Sequence, residues 1–265
     1  MSVTKKIVVA AAMLAAAGAA QAADLPARVA PAPYVAPVPV FTWTGAYFGI
    51  NAGAAFDNRE KFTGNNNVAV LGGNRSFSDS GFSAGGQLGY NYQLGNLGGF
   101  GGFGGGGVVI GFETDAMYMD TGKSINTTNP AGTQSFRSGL DYLGTVRGRL
   151  GLAFNQFMIY GTGGFAYGDV NSRVVTAFNG VQDSQNASGF NTGYAYGGGI
   201  EYALPTSSFL NFFHSSAVTL KAEYLRYSLD SSNLRDNGNA STINLPNYKV
   251  KNDGNIARIG LNYKF

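Results

Sequence analysis

The sequence has no cysteine, one histidine and one tryptophan, and only 12% of its 265 residues are charged. Without cysteine there can be no disulfide and no thiolate metal site. His214 alone cannot supply the three or four protein ligands of a usual metal centre. No run of about 18 apolar residues follows the first 22, so no helix there is expected to span a bilayer. Lys5 and Lys6 sit in a leader that holds no acid, and beyond it the charges nearly cancel. Such a balance gives no reason to expect nucleic acid as a partner.

What is plentiful is glycine, with 40 residues, and aromatics, with 19 Phe and 15 Tyr. Glycine costs a helix about 1 kcal/mol per residue relative to alanine. Sheets that set glycine beside aromatics tolerate it, and membrane barrels are among them.

The first residues read as an export signal. Lys5 and Lys6 precede the apolar stretch Ile7–Ala20, and Ala20-Gln21-Ala22 has the small-x-small form of a cleavage site. Residues 1–22 are therefore expected to be removed. Residues 23–41 form a linker with Pro26, Pro31, Pro33, Pro37 and Pro39. It should be extended, serving as a spacer or a peptidoglycan tether on the periplasmic side.

Residues 42–265 show a period of two. Eight alternating stretches are expected as strands: Thr44–Phe56, Gly81–Leu94, Val108–Met119, Leu140–Phe154, Phe157–Val170, Gly189–Tyr202, Ala217–Ser228 and Asn255–Phe265. Each suffices to cross hydrocarbon, which takes about 9–11 tilted residues. Pro130, Pro205 and Pro246 all fall between them, where no ladder bond is lost. Long polar connections (57–80, 120–139, 171–188, 229–254) alternate with shorter ones (95–107, Asn155-Gln156, 203–216). The pattern predicts an all-β, eight-stranded antiparallel up-and-down transmembrane barrel of the outer-membrane type, with its long loops outside the cell. The Gly-rich 95–107 connection has no evident role, and the faces of 157–170 are not assignable.

Charges interrupt the apolar faces on one side only. An Arg or Lys on the lipid face near the midplane costs roughly 2–4 kcal/mol, so these residues must point inward. Eight strands leave room for little but side chains. Glu113 and Asp115 should neighbour Arg147 and Arg149, Glu223 should neighbour Arg258, and Glu201 should neighbour Lys221. A polar plug is expected, not an open channel.

Three motifs mislead. Gly81-Phe82-Ser83-Ala84-Gly85 matches G-x-S-x-G but opens a strand instead of an elbow. Gly99–Gly104 matches G-x-G-x-x-G, yet a strand, Val108-Val109-Ile110, follows in place of the required helix. Asn126-x-Thr128 carries no meaning as a glycosylation site in a bacterium.

The segment Trp43-Thr44-Gly45-Ala46-Tyr47-Phe48-Gly49-Ile50-Asn51-Ala52-Gly53, the stretch Lys221-Ala222-Glu223-Tyr224-Leu225 and the ending Arg258-Ile259-Gly260-Leu261-Asn262-Tyr263-Lys264-Phe265 point to one family. Together they resemble the small immunogenic outer-membrane proteins of alpha-proteobacteria, an OmpA-like, porin-family barrel group that includes haemin-binding members. The resemblance implies a location in the Gram-negative outer membrane, amid lipid and lipopolysaccharide. Arg258, Gly260, Tyr263 and Phe265 look like the signal read by the barrel-assembly machinery. The expected role is structural and non-enzymatic, supporting membrane integrity and displaying loops, with no cofactor. The alternative is a haemin- or host-ligand-binding surface protein that uses Phe62, Arg75, Phe77, Phe136, Arg137, Phe178 and Arg235, or a small porin.

Overall fold

The computed structural model describes residues 41–64, 75–95, 106–129, 132–178, 181–205, 207–236 and 248–265. Its strands are β1 (Gly45–Gly64), β2 (Arg75–Leu94), β3 (Gly107–Asn129), β4 (Gly132–Phe154), β5 (Phe157–Phe178), β6 (Val181–Leu204), β7 (Ala217–Asn233), β8 (Arg235–Asp236) and β9 (Tyr248–Lys264). Eight of these pair antiparallel in chain order, and β1 closes the ring on β9. The two-residue β8 joins only the upper part of β6, opposite Gln185 and Asn186.

The lower half matches the alternation. Ile50, Leu88, Phe112, Leu150, Ile200 and Ile259 all point outward and are 47–66% exposed. A contiguous apolar wall of this kind is what hydrocarbon requires. Phe56, Phe82, Tyr118 and Phe190 bound it above, and Tyr92, Phe154, Tyr202 and Phe265 below. In β5, Met158, Tyr160 and Ala166 point inward while Ile159 and Phe165 point outward. Its faces are illegible in the sequence because Gly161, Gly163, Gly164 and Gly168 leave gaps on both sides.

The upper half departs from expectation. Most residues expected in long loops are strand: β1 continues to Gly64, β3 to Asn129, β5 to Phe178. The eight ring strands run 17–24 residues, about twice what a bilayer takes. The reason is a reversal of pattern. On β4, Val146 and Leu150 face out and Arg147 faces in; higher up, Arg137 faces out and Phe136 faces in. Above the wall the outside is wet, so polar residues cover it and apolar ones fill the centre.

On β1, β4 and β7 the reversal is made by β-bulges. Register slips occur between Ala55 and Asn58, Tyr118 and Thr121, Leu140 and Tyr142, and Leu229 and Ser232. An extra residue shifts every later side chain to the other face. An aspartate lies in each slip: Asp57, Asp120, Asp141 and Asp230. Asp57 has φ +49°, the left-handed conformation a bulge uses and Asp tolerates.

The interior is layered. Trp43, Val109, Ala153 and Met158 fill the end that carries both described termini, and the Trp43 indole N–H donates to the Asn155 carbonyl at 3.1 Å. Charged residues form the next layer. Met117, Met119, Leu143, Tyr227 and Ile256 lie above them. Phe62, Phe136, Val174, Leu234 and Val250 close the upper half.

Candidate functional site

The charged layer is built by register. Glu113 on β3 faces Arg147 on β4, and Glu223 on β7 faces Arg258 on β9. Arg147 reaches Glu113 at 2.7 Å and Asp115 at 2.6 Å, then spans the lumen to Glu223 at 3.1 Å. Arg258 binds Glu223 at 2.5 Å and meets Asp115 at 3.2 Å and Glu113 at 3.4 Å. Arg149 pairs with Glu201 at 2.6 Å and approaches Glu113 at 3.4 Å. None of these side chains is more than 2% exposed.

One expected pair is replaced. Glu201 and Lys221 are Cα partners across β6 and β7, yet the ion pairs run elsewhere. Glu201 takes Arg149, while the Lys221 ammonium points at Glu113, 2.9 Å away. Lys221 is fully buried, and Glu113 sits at the centre of the cations. Neighbouring strands are legible from sequence; contacts across the lumen are not.

The sequence reading missed the aromatic and amide members. The Tyr47 hydroxyl donates to Glu113 at 2.8 Å and accepts from Arg149 at 2.8 Å. The Arg149 guanidinium lies 3.9 Å from the Tyr160 ring centroid, and the Tyr160 hydroxyl donates to Glu223 at 3.1 Å. Gln87 accepts from Lys221 at 2.8 Å, and Asn262 donates to Glu201 at 2.9 Å. Gln87 also donates to Asn262, and the Thr219 hydroxyl to Glu201. Tyr47 could have been found from its parity, because it alternates with outward Phe48.

Glycine shapes the layer at two points. A Cβ on Gly89 would lie 2.3 Å from the Tyr47 ring, and one on Gly53 would lie 2.7 Å from the Cβ of Arg258. Both glycines let a large inward side chain lie against the wall.

Charge balance decides what the layer can do. Four carboxylates (Glu113, Asp115, Glu201, Glu223) meet four cations (Arg147, Arg149, Lys221, Arg258). The cluster is neutral overall and each cation has a carboxylate partner, which lets ions persist away from water. It reaches across the lumen and ties β3, β4, β6, β7 and β9 together.

Other candidates fall elsewhere. Phe62 and Phe136 are not loop residues: they pack edge to face inside the upper barrel, 5.3 Å between centroids. The side chains of Arg75, Phe77, Phe178 and Arg235 lie outside the described residues, as does most of the Gly-rich 95–107 connection. Arg137 is exposed on the outer face. Ser83 is buried within β2 and faces inward. His214 occupies the turn between β6 and β7. Of the terminal signature, Arg258 belongs to the charged layer, while Tyr263 and Phe265 stack on Phe48 at the outer face.

No family model matches the chain. The 31 kDa outer-membrane immunogenic protein of Brucella melitensis is 36% identical over 261 residues, spanning 93% of each chain. The chain belongs to that family. The 22 kDa outer membrane protein of Rhizobium leguminosarum is 30% identical over 234 residues, covering 87% of this chain and 82% of its own. Among solved structures, the outer membrane protein OprG from Pseudomonas aeruginosa aligns over 84% of this chain and 96% of its own, at 16% identity and a TM-score of 0.44. This member of the immunogenic-protein family is therefore an outer-membrane barrel. Both described termini lie at the lower end of the apolar wall, and the extended upper half lies beyond its other edge.

Proposed function

We propose that the protein is a non-conducting structural barrel that contributes to outer-membrane integrity and presents its upper half and loops at the cell surface. The neutral eight-member ion network carries this reading, because it fills the lumen between two apolar layers. Purified protein in planar bilayers should give no sustained conductance. Stable single-channel steps would replace the reading with a small porin. No catalytic role is proposed: the relatives' names carry no activity, and His214 sits in a periplasmic turn.

Two further parts belong to this reading. The Lys5-Lys6 and Ala20-Gln21-Ala22 pattern supports cleavage before Ala23, which N-terminal sequencing of the membrane form would check. The outward aromatics Tyr263 and Phe265 support recognition of β9 by the barrel-assembly machinery. Haemin is not part of the proposal, since Phe62 and Phe136 are committed to the core.

A further inference from the structure

Just above the outer aromatic girdle, on the outward face of β3–β6, lies a cavity of about 610 Å³. Its upper rim is Arg137 and Arg173, which are direct cross-strand partners on β4 and β5, both exposed. Like charges placed opposite one another destabilise a sheet. Among the described residues neither arginine has a carboxylate within ion-pair distance. Folding gives no reason for the pair.

The rest of the cavity is chemically graded. Its floor is Gly122 facing Gly139, and a Cβ on Gly122 would meet nothing closer than 3.9 Å. Small polar residues, Ser124, Asn171 and Ser188, line it, with Asp120 and Asp141 on the lower side. Asn171 donates to Asp141 at 2.7 Å. Below lies an aromatic ledge of Tyr142, Tyr167 and Phe190, with Tyr167 and Phe190 stacked at 5.3 Å. Arg173 is four residues above Asp169, the partner of Tyr142, which is about 10 Å along the axis of a tilted strand. The headgroup layer is about 5–8 Å thick on each side of the hydrocarbon, within reach of an arginine stem.

We propose that this cavity binds the phosphorylated sugar headgroup of an outer-leaflet glycolipid, its phosphate forked by Arg137 and Arg173. Guanidinium suits phosphate bidentately. Asp120 and Asp141 accept from sugar hydroxyls over the glycine floor, and the acyl chains descend past the aromatic ledge. The proposal rests on the upper half standing outside the cell, not on the lumen being sealed.

The test uses the full barrel in non-ionic detergent with bisphosphorylated lipid A, lipid A stripped of phosphate, and millimolar inorganic phosphate as separate probes. Native mass spectrometry and the midpoint of thermal unfolding are the readouts. Bisphosphorylated lipid A should bind and raise the midpoint, and the other two should not. The double variant Arg137→Ala/Arg173→Ala should bind at least tenfold more weakly, while its lipid-free midpoint stays level or rises. Gly122→Phe should block binding by filling the floor. Lys61 and Lys251 form another cross-strand pair at similar height, with Lys251 near Asp253 at 3.4 Å. Lys61→Ala/Lys251→Ala should bind as the native protein does. Equal binding by the arginine variant, or by phosphate-free lipid A, overturns the proposal. An equal effect of inorganic phosphate reduces it to a plain anion site and also overturns it. Ser124→Cys, in a chain without cysteine, should react with an impermeant maleimide on whole cells. Failure there overturns the orientation, whereas labelling without lipid selectivity overturns the glycolipid site alone.

Discussion

Tyr47 and Glu113 are joined by a 2.8 Å hydrogen bond inside the barrel, and Arg149 reaches both. The phenol on β1 thereby holds a carboxylate on β3 against a guanidinium on β4. Gly89 makes the arrangement possible, since any Cβ there would overlap the ring. Gly89→Ala should destabilise the barrel by about 1–3 kcal/mol, the usual cost of overpacking. The double variant Gly89→Ala/Tyr47→Ala should lose less than the sum of the single changes. Urea unfolding in lipid vesicles measures both, and strict additivity would show that the ring does not depend on the glycine.

Arg147 touches three carboxylates of the network, Glu113, Asp115 and Glu223. Arg147→Ala should cost about 3–5 kcal/mol, because it leaves buried carboxylates uncompensated. Replacing the facing pair together, Arg147→Met/Glu113→Gln, should restore part of that loss. Band shift on unheated gels reports folding and urea titration reports the energy. A double variant worse than Arg147→Ala would show that the charges stabilise as a network and not as pairs.

Glu60 stands above the apolar wall, inside the upper half, and one of its carboxylate oxygens has no hydrogen-bond partner. Burial pushes its carboxyl up to about 7, and Asp79 adds to the rise while a hydrogen bond from Ser138 opposes it. The folded state therefore holds a proton that the unfolded chain releases near its ordinary value of 4.5. Stability should be full below pH 4.5 and fall as pH rises to about 7, by about 3 kcal/mol in all. Glu60→Gln should flatten that slope and be more stable than the native protein at pH 8. Unfolding titrations between pH 4 and 8 decide it; an unchanged slope in the variant would remove Glu60 as its source.

The turn between β6 and β7 carries Phe209, Phe212 and Phe213, all 59–83% exposed. Phe213 packs edge-on against outward-facing Tyr263 at 4.8 Å, which puts the turn against the lipid side of the wall. Tryptophan placed at 209 in a Trp43→Phe background should be quenched by lipids brominated near the headgroup. The native fluorescence should be far less sensitive, because Trp43 is buried inside the barrel. Equal quenching of both proteins would place the turn in water.

The lower half was readable because hydrocarbon enforces one rule along every strand. Leu150 against Arg149 and Ile259 against Arg258 show it directly. The upper half obeys the opposite rule, and a strand such as β4 looks like loop where Arg137 and Ser135 replace Val146 and Leu150 on the outside. The slips at Asp57, Asp141 and Asp230 hide the change further, since they alter parity on β1, β4 and β7 at the same level. The pairs Phe56-Asp57 and Asp141-Tyr142, each an outward aromatic beside an aspartate, were the available clue. Charges on adjacent strands were readable; Arg149 turning to Glu201 instead of leaving it to Lys221 was not, because lumen geometry lies outside any pairwise register.

The upward continuation of paired strands has an immunological corollary. An antibody approaching the cell meets a stiff lattice whose neighbouring side chains come from segments far apart in the chain, as Arg137 and Arg173 do. Epitopes on that wall are discontinuous. Sera raised against the folded barrel should lose most of their recognition of this region once the protein is boiled, and short synthetic peptides from it should be poor substitutes for the intact surface.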